Sequence, residues 1–90
     1  HWAWRGLLSE FGAIPDDARV VRDGNIFTGG GVTAGIDFAF TMLAEIAGEA
    51  YAKTLTLGLE YAPAPPYACG RPELADHETL SRMASVMDKS

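Results

Sequence analysis

The side chains that could act as a nucleophile or transfer protons at neutral pH are a single cysteine and two histidines. Cys69 lies in a proline-rich stretch, without the helix N-terminus or basic partner that activates a thiol, so we interpret it as an incidental loop cysteine. His77 falls in a predicted surface helix, where a solvated imidazole is expected. His1 precedes a tryptophan-rich segment, and beside a buried site it could orient a thiolate or move a proton. Two distant histidines without further ligands predict no metal site.

The backbone of a glycine-rich segment is the second candidate for chemistry. Gly29-Gly30-Gly31 follows a predicted strand, and Gly35 lies at the start of a predicted helix. Such a turn can hold an anion, but the spacing matches neither the dinucleotide fingerprint nor the P-loop. Two interpretations remain: a tight turn with close helix–sheet packing, or a turn that lets backbone approach a reactive centre. Thr33 is predicted to cap the helix, and Asp37 either serves the helix dipole or belongs to a site beside the turn.

The elements that must position these residues follow from periodicity and turn signals. In chain order they are a helix over Trp2–Phe11 ended by Gly12, a hairpin of Arg19–Arg22 and Asn25–Thr28 around a type I′ turn at Asp23-Gly24, a helix over Ala34–Ala47, a helix from Glu49 closed by Tyr61–Pro63, an extended arm over Ala64–Pro72 and a helix over Glu73–Met87. The helix over Ala34–Ala47 is apolar on nearly every side, so it must be covered all round. We therefore predict that its main packing surface, a central sheet, lies in residues absent from this chain.

Composition and charge exclude several classes of function. Ninety residues allow one small domain. The net charge is −5 and the seven basic residues are scattered, so no clustered basic face for nucleic acid is predicted. No apolar run reaches the roughly 18–20 residues that a membrane span needs. A lone cysteine excludes an internal disulfide and is typical of the reducing cytoplasm, where we expect this protein.

Three stretches together resemble a known family. Arg22–Phe38 resembles the second half of the ThiJ/PfpI superfamily, the class I glutamine amidotransferase-like fold, and His1-Trp2 resembles the end of its T-T-H-W stretch. Leu59–Tyr67 narrows the resemblance to the isonitrile hydratases, and the whole covers roughly residues 1–75. It implies an α/β, flavodoxin-like three-layer sandwich. Residues 1–90 would be the C-terminal part of that single domain, about four helices plus a β-hairpin, with the upstream half absent.

The resemblance also implies a mechanism. A thiolate attacks the terminal carbon of an isonitrile, and water releases an N-substituted formamide from the covalent thioimidate. The nucleophilic cysteine and an acidic residue would lie outside this chain, which is expected to be inactive alone. His1 would support the thiolate, and one active-site wall would consist of Gly30, Gly31, Thr33, Ala34, Gly35, Ile36 and Asp37. A homodimer that acts on a small-molecule isonitrile is implied, with no cofactor, metal, nucleic acid or membrane.

Two alternatives keep the fold and change the function. A similar glycine-turn segment occurs in the sensor domains of AraC-type transcription regulators, where a DNA-binding helix-turn-helix follows; here no basic segment follows within the sequence. A glyoxalase, deglycase or peptidase-like member of the superfamily is the other alternative. The segment Glu60–Pro63 favours the hydratase over these.

Overall fold

The computed structural model describes residues 1–88. Its elements are a 3-10 helix (Arg5–Phe11), strands β1 (Val20–Asp23) and β2 (Ile26–Gly29), helices α1 (Ala34–Ala47) and α2 (Glu49–Gly58), a short 3-10 helix (Pro72–Leu74) and helix α3 (His77–Asp88). The predicted set of about four helices plus a β-hairpin is therefore confirmed. No helix in residues 1–88 is long and apolar enough to cross a membrane.

The hairpin forms as predicted, but its turn is shifted by one residue. Asp23 pairs with Ile26, so the two residues of the turn are Gly24 and Asn25 and not Asp23 and Gly24. A type I′ turn needs a positive φ at both central residues, whereas here only Gly24 has one, at 61°. A glycine at the first central position suits a type II′ turn, which also fits the twist of the strands. The Arg22 side chain supports the turn by donating from Nε to the Gly24 carbonyl at 3.0 Å.

Helix α1 begins and ends where its apolar periodicity predicts. The proposed cap is wrong, because Thr33 already has helical dihedrals (φ −74°, ψ −19°) and its hydroxyl makes no capping hydrogen bond. Instead, short backbone bonds tighten the first turn, such as the one from the Ala34 N–H to the Gly31 carbonyl at 3.0 Å. Gly48, with φ 95°, separates α1 from α2 as predicted.

The two ends of the chain depart from the predicted helices. The N-terminal segment is a 3-10 helix confined to Arg5–Phe11, although Gly12 ends it as predicted, in a left-handed conformation. Helix α3 starts at His77, four residues later than predicted, because the carboxylate of Asp76 accepts the Thr79 backbone N–H at 2.7 Å and so caps the helix there. His77 is exposed, as a solvated residue would be.

The described residues bury few of their own apolar side chains. Helix α1 packs on α2 and on both strands, yet Ala34 and Ala52 are the buried apolar side chains. Ile36 and Ile46 of α1 are 49% and 78% exposed. The accessible surface is 7364 Å², whereas a self-contained folded protein of this mass exposes about 5,100 Å². The radius of gyration, 15.8 Å, likewise exceeds the value of about 12 Å for a compact 90-residue domain. The apolar α1 therefore has large faces that residues 1–88 leave uncovered.

Candidate active-site wall

The glycine turn connects the last residue of β2 to the first turn of α1. At its start, the Gly30 N–H donates to the carbonyl of Arg19 at 2.8 Å, which ties the turn to the residue before β1. A Cβ placed on Gly29 would lie 3.3 Å from Cδ2 of Phe38, tighter than an ordinary contact. The turn is thus a tight connection with close helix–sheet packing, the first of the two interpretations that the sequence allows. The second interpretation, a turn that lets backbone approach a reactive centre, depends on which residues lie against the other face of the turn.

His1 lies against this turn. A Cβ on Gly31 would be 3.7 Å from Cδ2 of the imidazole, so the ring and the glycine backbone are neighbours. The Nδ1 atom of His1 accepts the Ala3 N–H at 3.2 Å, and the ring lies against Trp2 with centroids 5.3 Å apart. In the neutral ring the proton is then on Nε2, which can donate to a group beside the turn. His1 and the glycine turn, two predicted site elements that are far apart in sequence, are therefore neighbours in the structure.

The wall residues divide into an exposed and a supporting set. Within residues 1–88, a Cβ on Gly35 meets no atom within 4 Å beyond its two chain neighbours and the backbone of its own helix, and Ile36 next to it is half exposed. Ala34, in contrast, is only 1% exposed, so its methyl group is buried and supports the turn. Open space therefore lies over Gly35 and Ile36, at the N-terminal end of α1.

Asp37 is held by two side chains that sequence analysis did not identify. Its Oδ2 accepts a hydrogen bond from Nε of Arg19, and its Oδ1 accepts one from the hydroxyl of Tyr61. A longer contact of 3.4 Å joins Nη2 of Arg19 to the Thr33 hydroxyl. Asp37 does lie in the first turn of α1, where a negative charge suits the helix dipole. Its oxygens nevertheless bind side chains from two other segments and cap nothing.

These contacts fix the protonation states of Arg19, Asp37 and Tyr61, which together form the Arg19–Asp37–Tyr61 cluster. The hydrogen bond from Tyr61, followed by the one from Arg19, lowers the pKa of Asp37 below its ordinary value. The same bond to the carboxylate raises the pKa of Tyr61, since an ionised phenol could not donate to Asp37. The pKa of the Arg19 guanidinium is raised by its hydrogen bond to Asp37. At neutral pH the cluster is therefore a carboxylate between a cation and a neutral phenol.

Cys69 lines a hollow that does not include the glycine turn. It is exposed and lines a small hollow of about 120 Å³, together with Trp2, Arg71, Pro72, Leu80 and Met83 among others. None of the wall residues contributes to that hollow. Across residues 1–88, no three His, Cys, Asp or Glu side chains come together as a set of metal ligands.

A strand, a glycine turn and an apolar helix with an open N-terminal end define a portion of an α/β fold. No family model matches the sequence. Over 75 residues, 83% of the chain, it is 59% identical to an isonitrile hydratase of Pseudomonas putida, of which it covers 33%. Its structure superposes on the crystal structure of a ThiJ/PfpI family protein from Pseudomonas syringae with a TM-score of 0.90 and 44% identity, covering 99% of this chain and 37% of that one.

The chain spans about a third of the length of both relatives. It belongs to the ThiJ/PfpI superfamily and corresponds to a C-terminal portion of that fold. The resemblance based on the glycine turn and on Leu59–Tyr67 is thereby confirmed at the level of the family.

Proposed function

We propose that this chain forms one wall of the active site of a cysteine-dependent isonitrile hydratase, and that the nucleophile and its acidic partner belong to an upstream part of the same domain. The observation that carries the proposal is the apposition of His1 and Gly31, beside the open N-terminal end of α1. The 59% identity to a curated isonitrile hydratase selects the reaction among those that the superfamily fold could host.

The reaction needs a nucleophile, a proton source and water. The thiolate sulfur adds to the terminal carbon of R–N≡C. A proton delivered to that carbon gives the covalent thioimidate R–N=CH–S–enzyme. Water adds to the same carbon, the carbon–sulfur bond breaks, and the thiol is regenerated with release of R–NH–CHO. His1 would hold the thiolate or pass the proton through Nε2. The turn beside it would bring backbone, without side-chain bulk, close to the sulfur.

The remaining parts of the proposal concern assembly. The complete protein would be a cytoplasmic homodimer that uses no cofactor, and its upstream half would cover the exposed apolar faces of α1. Since the site would be divided between this chain and that half, the 90-residue chain alone should not turn over substrate.

The test is incubation of the complete protein with cyclohexyl isocyanide, with the N-substituted formamide detected by chromatography. We expect formamide from the complete protein and none from residues 1–90 alone. The variant His1→Gln should lower kcat by about 10²-fold, the effect of removing a positioned acid–base group. Absence of formamide with the complete protein would refute the hydratase assignment, and formamide from the isolated chain would refute the divided site.

A further inference from the structure

We propose that Arg19 is a positioning residue for the glycine turn, holding both ends of the segment from Gly30 to Asp37 and so fixing the active-site wall. The inference rests on the proposed function for its catalytic consequence. The clamp itself is independent of that function, because it consists of contacts within the described residues.

The first half of the clamp is the main chain of Arg19. Its carbonyl accepts the Gly30 N–H at 2.8 Å, and the same oxygen lies 3.5 Å from where a Cβ on Gly30 would be. The chain entering the turn is therefore held against the residue that precedes β1. This half of the clamp uses main-chain atoms and does not involve the Arg19 side chain.

The second half is the guanidinium group. Nε donates to Oδ2 of Asp37 in the first turn of α1, and Nη2 reaches the hydroxyl of Thr33 at 3.4 Å, on the last residue before that helix. One side chain thus contacts both the end of the turn and the start of the helix. The planar fork of arginine reaches two acceptors in different directions, which the single ammonium of a lysine cannot reproduce.

Tyr61 completes the clamp from the far side. Its hydroxyl donates to Oδ1 of Asp37, so the carboxylate is held on both oxygens. The ring of Tyr61 stacks on Phe40 of α1, with centroids 5.4 Å apart and planes inclined by 28°. The side chain of Asp37 is 27% exposed, and the two bonds give its carboxylate a fixed direction that fixes the start of α1 with it.

A wall that presents backbone to a reacting sulfur must be placed accurately, because a shift of about 1 Å can cost about 10²-fold in rate. The residues that face open space, Gly35 and Ile36, immediately precede Asp37. Loosening the clamp should therefore lower kcat more than it raises KM, since Arg19 acts on the position of the wall.

The experiment compares Arg19→Lys with Arg22→Lys in the complete protein. Arg22 is a matched control because it also bridges the hairpin to α1, through two hydrogen bonds of 3.0 and 3.1 Å to Glu45. Its third side-chain hydrogen bond goes to Gly24 of the hairpin turn, and none of the three involves the glycine turn. Arg19→Lys should reduce kcat about 10- to 100-fold with KM changed less than about threefold, whereas Arg22→Lys should leave both unchanged. Hydrogen–deuterium exchange of the amides of residues 30–36 should accelerate in the first variant only.

A milder variant, Tyr61→Phe, keeps the clamp testable if Arg19→Lys does not fold. Tyr61→Phe keeps the ring on Phe40 and removes one hydrogen bond to Asp37, so kcat should fall about 2- to 10-fold and the same amides should exchange faster. Equal exchange and equal kcat in Arg19→Lys, Tyr61→Phe and Arg22→Lys would overturn the clamp. If the wild-type protein makes no formamide, the proposed function fails, and the exchange comparison still decides whether Arg19 holds the turn.

Discussion

The isolated 90-residue chain should not unfold as a cooperative domain. Its structure exposes 7364 Å², about 2,300 Å² more than a self-contained protein of 9.6 kDa. Relative to an extended chain, it buries about 47% of its surface, where a domain of this size buries about 63%. Apolar burial is the main favourable term in folding, and two alanines are the buried apolar side chains in residues 1–88. The missing burial is comparable in area to a large protein–protein interface.

The assay is differential scanning calorimetry of residues 1–90, with circular dichroism and binding of a hydrophobic dye measured alongside. A self-contained 90-residue domain would show an unfolding enthalpy of about 60 kcal/mol near 60 °C. We expect no peak of that size, a gradual loss of helicity on heating and strong dye binding. The complete protein provides the positive control. A single sharp transition of about 60 kcal/mol from a monomeric 90-residue chain would refute the reasoning, because it would mean that α1 needs no further cover.

The remaining predictions concern single positions in the complete protein. Gly29→Ala should lower stability by about 1–3 kcal/mol, because its Cβ would crowd Phe38 at 3.3 Å; a raised Tm would contradict this. The lowered pKa of Asp37 means that its contribution to stability is complete above the unfolded-state pKa of about 3.9 and is lost as the pH falls through the lower folded value. Urea unfolding between pH 2 and 7 should therefore show a shallower acid limb for Asp37→Asn than for the wild type, and identical limbs would speak against the hydrogen-bonded carboxylate. Cys69→Ser should keep kcat within about twofold, since the thiol is exposed and the hollow that it lines includes none of the wall residues; a tenfold loss would give the thiol a role.

The parts of this fold that the sequence predicts are those set by local chemistry. Helix α1 was placed at its observed bounds because a glycine turn precedes it, Gly48 follows it and its apolar residues run without interruption. The errors also have local causes, in which residues close together in the sequence compete for the same role. Gly24 took the first turn position instead of the second, and Asp76 capped α3 where the periodicity alone would have started the helix earlier. Each error amounts to the choice between neighbouring residues of similar propensity.

The Arg19–Asp37–Tyr61 cluster could not be predicted in this way. Its partners lie 18 and 24 residues from Asp37, and they meet only after the hairpin, α1 and α2 have packed. A first-turn aspartate is adequately explained by the helix dipole, so nothing local suggests that its two oxygens are already engaged. The apposition of His1 and Gly31 is equally non-local, and only the family resemblance indicated that both residues belong to one site.

The exposed apolar surface of the fold and the open face of the candidate wall lie on the same helix, α1. Gly35 and Ile36, over which the wall is open, belong to the same helix whose apolar side chain Ile46 is 78% exposed. We infer that the upstream half proposed above would cover α1, and that a nucleophile carried on it would reach the glycine turn through the same packing that buries the helix. If so, folding and catalytic competence should appear together when the covering part is supplied, whereas the Arg19 clamp, formed wholly within residues 1–88, should adjust the rate without deciding whether the domain assembles.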